Sequence, residues 1–493
     1  MKGRKYISIP PLMIILTLMI INTPSMGMGA IKSDSTNNNS TRLESTSDAI
    51  RPYSKNPWYW ELNGEPILLR GASDNDNLFQ WTGQKLINQL ERLDSAGGNY
   101  LRCTLSDRDE ESVYAYDKVD DGMYDLTRWN ETYWNRLEFF LNETEKRGMV
   151  VQLTLWDHFD LSSGNFKDHP LNPANNINLA EGIIEDGSDY YGGSVDDRNK
   201  KVLEIQRRFV NKVLSISFDY KHILYNIENE TSKSREWQNY WAAFLKEKAR
   251  EKGRKIYITT MNLSPSTGVR HVMTYDSLFS YAEISQNNQD FAGARGAIHY
   301  KNVLRWRNLI QISPSGPMPM NNVKIYGGTG YAAGTAREAE ERFWRNVFAG
   351  AASVRFHRSA GGVWGIGLNE RATTNLKALS VFLEEFNIFT ASPYPECKPV
   401  ENNPAAYALA TPGKQYAVYF PAGRYGVKFN PWVYAKKIRI RWLNIETAEW
   451  EQEKIVTINW ETNEIERFHG FRNDKTLWTP GDDPYIALIE VVK

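Results

Sequence analysis

Asn229 and Glu230 end an apolar run in the segment KHILYNIENET, residues 221–231, and they are the residues best suited to proton-transfer chemistry. The run predicts a buried strand, and amphipathic helical patterns lie on both sides of it. A carboxylate at the carboxyl end of a parallel strand is where a (β/α)₈ barrel places its chemistry. Glu230 is therefore a candidate general acid, and Asn229 a candidate ligand of a substrate hydroxyl. The alternative is that both residues only cap the next helix.

The elements that must position these residues alternate between strand and helix from Trp58 to about Ile388. Predicted strands lie at 64–73, 99–106, 149–156, 223–229, 255–262, 279–286, 323–328 and 353–358. Predicted helices lie at 82–96, 128–147, 196–217, 235–252, 300–311, 336–351 and 370–387. The strands are nearly continuous apolar runs, as is typical of parallel strands buried on both faces. The pattern predicts an α/β fold, a (β/α)₈ TIM barrel over residues 53–389. A doubly wound open sheet is the competing arrangement, and the count of eight favours the barrel.

The residue patterns at the two ends of the chain differ from the strand and helix alternation of the central region. Short alternating runs punctuated by Gly, Pro and Asn predict a small all-β sandwich over residues 390–493. Residues 1–30, with a basic start and a short apolar run, predict a signal peptide, and the polar residues 31–52 predict a flexible linker. We therefore expect a secreted protein, extracellular, at the cell surface or in the periplasm, without a stable membrane span after cleavage. An uncleaved anchor is the alternative.

The composition narrows the function classes. Basic and acidic residues number 59 each, so the net charge of +0 argues against a nucleic-acid partner. Aromatic residues make up 13% of the chain, which suits stacking against sugar rings, although a large core uses the same residues as bulk. Neither Cys103 nor Cys397 belongs to a metal motif, and two buried free thiols are expected rather than a disulfide. We expect no metal and no cofactor.

The sequence is similar to a known enzyme clan along most of the mature chain. Residues 57–388 resemble a clan A (cellulase-like) glycoside hydrolase, and more narrowly its apiosidase-like relatives, in which a small sandwich of the collagen-binding type follows the barrel. The resemblance rests on NPWYWELNGEPILLRGAS, SFDYKHILYNIENET, EERFWRNVFAGAASVRFHR and, in the sandwich, YALATPGKQYAVYFPAG.

This resemblance implies a retaining mechanism built on two glutamates. Asn229 and Glu230 match the acid/base and the Asn before it. The nucleophile of the clan ends strand seven, but here that strand ends in Tyr326, Gly327 and Gly328, without a carboxylate. The second catalytic group must therefore be a non-standard one, or hydrolysis has been lost.

Several carboxylates near strand ends are candidates for that second group, and they include Asp160 after strand three and Asp74 and Asp76 after strand one. Asp157 directly follows strand three and is the first choice, although an Asp there also orders turns. Glu370 is the second choice and begins helix eight, where a carboxylate also interacts favourably with the helix dipole. We expect Glu283, inside strand six, to be buried in a hydrogen-bond network. A carboxyl separation of about 5–5.5 Å gives retention, whereas about 6.5–9.5 Å admits water and gives inversion. Tyr326 is a further candidate nucleophile, because sialidases use Tyr in that role.

Residues at the predicted strand ends are candidate substrate ligands. The set comprises Asn229, Arg102, Trp156, His158, Asn287, Tyr326 and His357. Arg102 matches the Arg that supports the nucleophile in this clan and is otherwise a structural salt-bridge partner. The long loop 156–195 is expected to form a wall of the cleft.

The sequence thus predicts a secreted glycoside hydrolase that cleaves O-glycosidic bonds in a poly- or oligosaccharide. Alternatives are a catalytically inactive glycan-binding barrel and a surface protein that binds matrix through the sandwich. Gly-rich runs at 327–330 and 361–367, with Arg355, Arg358 and Arg371 nearby, leave an anionic, sulfated or uronic, substrate open; simple tight turns are their other interpretation. The oligomeric state is not indicated.

Overall fold

The computed structural model describes part of the chain in detail. The described residues are 48–492, without 120, 163, 193–199, 265, 276, 287–296, 329–332, 361–363, 395–397, 400–406, 424–425, 429–436, 460–463, 466–470 and 473–475.

Two parallel sheets of four strands each carry the candidate site. Their strands are β1 (Leu69–Ala72), β2 (Tyr100–Thr104), β3 (Val150–Asp157), β4 (Ile223–Asn229), β5 (Ile258–Met261), β6 (Ala282–Glu283), β7 (Met320–Ile325) and β8 (Ser353–Phe356). The orders are β5-β4-β3-β2 and β6-β7-β8-β1. The sheets adjoin at both edges, where Asn99 N donates to Arg70 O at 2.9 Å and Ser280 N donates to Ile258 O at 2.8 Å.

A helix follows each of these strands. The helices are α1 (Gly83–Ser95), α2 (Glu131–Lys146), α3 (Lys200–Ser217), α4 (Arg235–Glu251), α5 (Val269–Thr274), α6 (Ala297–Gln311), α7 (Ala336–Phe348) and α8 (Glu370–Glu385). Their apolar stripes pack on the sheets, and α7 begins in a capping box between Thr335 and Glu338. Because the strands are parallel, their carboxyl ends lie on the same side of the sheets. Side chains from β3, β4 and β7 meet on that side.

The sequence-based element order agrees with the structure apart from several local differences, one of which is an unpredicted antiparallel pair, Tyr116–Lys118 with Tyr124–Trp129. Residues 64–73 contain two strands rather than one, because Glu65–Ile67 turns back on Trp60–Leu62 before β1 begins. Strand six is only two residues long, and the short helix α5 was not predicted. The loop after β3 contains 3-10 turns and a short helix, Gly187–Gly192.

The C-terminal region forms two antiparallel sheets. The larger has seven strands, in the order Ser392–Pro393, Tyr407–Thr411, Gln415–Phe420, Tyr485–Val492, Lys437–Asn444, Glu449–Asn459 and Glu464–Ile465. The smaller contains Lys398–Pro399, Gly426–Lys428, Thr476–Trp478 and Phe471–Arg472. Val427 and Leu477 of the smaller sheet share a buried core with residues of the larger.

The larger sheet also packs against the helical layer. The ring of Tyr419 lies 5.9 Å from Trp344 and 5.8 Å from Phe348 of α7, and the ring of Tyr407 lies 4.2 Å from Tyr300 of α6. One apolar cluster therefore continues from the parallel sheets into this antiparallel sheet.

Candidate active site

Glu230 lies immediately after β4 and is joined to β7 through Lys324. Lys324 Nζ donates to Glu230 Oε1, and Gln286 Nε2 donates to the same oxygen at 2.5 Å. The side chains of Lys324 and Glu230 are 2% and 13% exposed, so this ion pair is largely buried. Burial lowers the pKa of Lys324 below its ordinary value, although Glu230 opposes that shift. Neither donor uses Oε2 of Glu230.

The backbone of Glu230 is strained. Its φ of 62° lies in the left-handed region, which a residue other than Gly enters at an energetic cost. Such strain tends to occur at active sites, where it places a side chain that an extended strand would turn elsewhere. It lets Glu230 leave the strand with its carboxylate facing β7.

Asn229 is held from two sides. Its Nδ2 donates to Asp157 Oδ1 at 2.9 Å, and its Oδ1 accepts from Lys324 Nζ at 2.7 Å. The pairing of β3 with β4 sets Asp157 opposite Asn229, which brings the two side chains together. Asn229 therefore has one amide hydrogen and one lone pair left for a substrate.

Asp157 is committed to protein contacts. Its Oδ1 also accepts from Phe159 N, and its Oδ2 accepts from Arg108 Nη1 at 2.5 Å. Burial alone would raise the pKa of Asp157, but Arg108 and Arg102 outweigh it and lower the pKa. With its side chain only 1% exposed, Asp157 is placed to fix Asn229 rather than to attack a substrate. The geometry thus favours a supporting role over the catalytic role expected from the sequence.

Asp160 shares Arg108 with Asp157. Arg108 Nη1 donates to Asp160 Oδ1 at 2.8 Å, and Ser106 Oγ donates to the same atom at 2.5 Å. Burial, and then the negative charge of Asp157, raise the pKa of Asp160 well above its ordinary value. Of the two carboxyl groups, Asp157 is therefore the ionised one and Asp160 is the protonated one.

Arg102 is a salt-bridge partner at the same end of the sheets. It contacts Asp76 at 2.7 Å, and Asp76 is also contacted by Arg355 at 2.8 Å and Arg358 at 3.4 Å. Burial would raise the pKa of Asp76, but these cations hold it well below the usual range. Arg102, only 1% exposed, matches the structural alternative considered from the sequence.

Tyr326 and His357 stack at the ends of β7 and β8. Their ring centroids are 4.9 Å apart, and Trp364 lies 5.4 Å from Tyr326 on another side. Burial, and then Glu230, raise the pKa of Tyr326, whereas burial lowers the pKa of His357 well below its usual value. Tyr326 is thus held as the phenol and His357 as the neutral imidazole.

Trp156 does not line the site. Its ring lies 5.3 Å from Phe209 of α3 and 5.5 Å from Trp241 of α4, and only 5% of the residue is exposed. Trp156 therefore points toward the helices, and the expected sugar platform is a core residue. His158 stacks on Phe159 at 5.2 Å in the turn that follows β3, and its binding role stays a prediction.

The remaining candidates lie apart or outside the described residues. Glu370 is the exposed first residue of α8, where Asn369 caps the helix, so its place fits the helix-start interpretation. Asn287 and Cys397 lie outside the described residues. Glu283 is buried beneath the site and accepts from Gln152 at 3.2 Å and Ser285 N at 2.9 Å, as the expected network requires.

Lys324 was not among the residues selected from the sequence, and neither were Gln286 and Arg108. A signal existed for Lys324, because it is the only charged residue in the strand MNNVKI. A charge in a fully buried strand needs a partner, and that partner is Glu230.

Among the described residues, no cluster of three or more His, Cys, Asp or Glu side chains is arranged to hold a metal ion. No helix in this part of the chain is long and apolar enough to cross a membrane.

Comparison with known proteins places the fold. Residues 108–280 match the family model described as "Domain of unknown function (DUF6298)", a segment that contains Asp157 and Glu230. No curated protein matches the sequence. A family 5 glycoside hydrolase from Bacteroides vulgatus is similar with a TM-score of 0.57 and 12% identity over 90% of this chain and 94% of that one. A second glycoside hydrolase gives 0.57 and 12% over 91% and 98%. At 12% identity the likeness shows that this chain shares the fold of these two structures.

Proposed function

We propose that this protein is a secreted glycoside hydrolase that cleaves O-glycosidic bonds in a poly- or oligosaccharide, with Glu230 as its general acid/base. The two parallel sheets are then halves of one (β/α)₈ barrel. The observation that carries the proposal is the placement of Glu230 at the carboxyl end of β4, with a left-handed backbone and one carboxylate oxygen anchored. This is the end of the sheets at which barrel enzymes catalyse.

The anchoring of Oε1 gives Glu230 a defined direction of action. Lys324 and Gln286 hold that oxygen, and Oε2 exchanges a proton with the glycosidic oxygen as the bond to the anomeric carbon breaks. A positioned acid of this kind accelerates a reaction by about 10²–10⁴-fold. The proton that Glu230 gives to the glycosidic oxygen is replaced from solvent after each turnover.

The attacking group is proposed to be water. β7 contains no carboxylate and Tyr326, Gly327 and Gly328 follow it, so no glycosyl ester can form there. Tyr326 is a poor substitute, because burial and Glu230 both raise its pKa and so disfavour the phenolate. Lys324 and Glu230 are in direct contact, so the sugar is placed on one side of the pair. Water attacks the anomeric carbon from the face opposite Glu230, and the proton that it loses passes to solvent.

A second candidate function is glycan binding without cleavage. Two observations favour it: the charged partner of Glu230 on β7 is Lys324 rather than a carboxylate, and Asp157 is occupied by Arg108 and Asn229. Among the described residues, no other carboxylate contacts Glu230.

Activity on a broad glycan panel tests the proposal. We expect the full-length wild type to release sugars from at least one glycan, Glu230→Gln to lose that activity, and the exposed α4 variant Glu247→Gln to keep it. Binding by all three proteins with release by none would replace hydrolysis with the binding function. Release by Glu230→Gln at the wild-type rate would remove Glu230 from the mechanism.

A further inference from the structure

The ammonium of Lys324 retains an unused donor. A lysine ammonium carries three hydrogens, and Lys324 gives one to Glu230 and one to Asn229. The third points to no acceptor among the described residues. Because a buried charge is costly when its hydrogen bonds are incomplete, this donor is a natural site for a substrate oxygen.

Positive charge is concentrated around Lys324. Arg355 donates to Val323 O at 2.8 Å, so its guanidinium lies beside the backbone that carries Lys324. Arg355 shares Asp76 with Arg102 and Arg358.

Three guanidinium groups share one buried carboxylate at this end of the sheets. Arg102, Arg355 and Arg358 all contact Asp76, while Arg102 also lowers the pKa of Asp157. Arg358 has a second carboxylate in Asp109, which lies 4.0 Å away and is 29% exposed, so water screens that charge. Cations are therefore close to one another at the end of β7 and β8.

Three buried nitrogen atoms at this end lack hydrogen-bond partners among the described residues. They are Nε of Arg102, Nε of Arg355 and Nδ1 of His357. Native proteins rarely leave such atoms unpaired unless a ligand or water completes them. A ligand rich in acceptor oxygens suits the two guanidinium donors among these atoms.

We propose that the sugar bound beside Glu230 carries an oxyanion substituent, a carboxylate or a sulfate, which Lys324 recognises with its third hydrogen. The inference rests on the proposed function and adds the substrate class to it. Lys324 then selects the charged sugar while it holds Glu230 and Asn229 in place.

Matched pairs of polysaccharides test this assignment. A uronic-acid polysaccharide is compared with its carboxyl-reduced form, and a sulfated one with its desulfated form, using full-length Glu230→Gln for binding and wild type for cleavage. We expect one charged form to bind about tenfold or more tightly than its neutral counterpart, because a hydrogen bond to a charged group is being lost. Loss on carboxyl reduction assigns a uronate, and loss on desulfation assigns a sulfate.

Two further measurements tie the preference to Lys324. Adding Lys324→Met to the binding variant should abolish the preference, whereas Lys324→Arg should retain part of it. Raising salt from about 50 to about 500 mM should weaken binding of the charged form more than that of the neutral form, a result that needs no variant. Equal binding and cleavage of neutral and charged forms would overturn the inference while leaving the proposed hydrolase intact. Failure to bind or cleave any form would overturn both.

Discussion

Lys324 of β7 and Glu230 after β4 form a buried ion pair that links the two parallel sheets at their carboxyl ends. The pair joins a buried ammonium on one sheet to a carboxylate on the other, although the two residues are 94 positions apart in the sequence.

The anomeric configuration of the product tests the proposed attack by water. Because β7 offers no carboxylate nucleophile, we expect the first-formed product anomer to have the opposite configuration to the bond cleaved. Proton NMR of early reaction time points on a glycan that the wild type cleaves gives the answer. A product of unchanged configuration would require a covalent intermediate on another residue.

Asp157 and Asp160 should respond differently to removal of their charge. Asp157→Asn removes one of the two carboxylate partners of the mostly buried Arg108 and leaves Asp160 to take up the charge, so it should cost about 2 kcal/mol of unfolding free energy. Asp160→Asn should cost less than about 1 kcal/mol, because burial and Asp157 already raise the pKa of Asp160 and favour its neutral form.

Urea denaturation of both variants measures the difference. Equal losses of unfolding free energy would show that Asp160 carries as much of the charge as Asp157. A loss of activity in Asp157→Asn as complete as in Glu230→Gln would return Asp157 to a direct catalytic role.

His222 gives the fold a pH dependence. Burial lowers its pKa from 6.5 to about 3, while its Nε2 lies 3.0 Å from Thr144 Oγ1. The unfolded chain therefore binds a proton that the folded chain excludes. Stability from neutral His222 is fully present above pH 6.5 and is lost as pH falls toward 3, by about 1.4 kcal/mol per pH unit.

Denaturation curves between those two pH values check this. His222→Gln should flatten the dependence, whereas His158→Gln, on the half-buried turn after β3, should leave it as in the wild type. Parallel curves for wild type and His222→Gln would contradict the account.

The larger antiparallel sheet should depend on the helices that cover it. Tyr419 packs on Trp344 and Phe348, so Tyr419→Ala in the full chain should lower the unfolding free energy by about 3–5 kcal/mol. Exposed Ile455→Ala should cost less than about 0.5 kcal/mol.

Residues 390–493 expressed alone should be insoluble, because the apolar face that carries Tyr407 and Tyr419 is then exposed to water. Soluble protein that binds matrix would instead favour an adhesive role.

The sequence predicts the strand and helix order well because long apolar periods are local properties. It predicts Glu230 for the same reason, since a polar pair that ends an apolar strand is visible in one short segment. Both faces of a parallel strand are buried, so its sequence lacks the alternation of polar and apolar residues that would show which side of the sheet a side chain lies on. Trp156 was therefore expected in the cleft, but it packs against α3 and α4.

Contacts between distant segments are the part that could not be predicted. Lys324 and Glu230 are 94 residues apart, and only the folded sheets bring them together. The same holds for Arg108, which contacts Asp157 across 49 residues and thereby occupies one of its carboxylate oxygens. A single sequence contains the residues of these pairs but no measure of their distance.

The most direct test of the account compares two leaving groups with one pair of proteins. Wild type and Glu230→Gln are assayed on the natural glycan and on an aryl glycoside of the same sugar, whose leaving group needs no protonation. We predict that Glu230→Gln loses about 10²–10⁴-fold in kcat/KM on the glycan and far less on the aryl glycoside. Equal losses on both substrates, or none on the glycan, would contradict the role of Glu230 as the general acid.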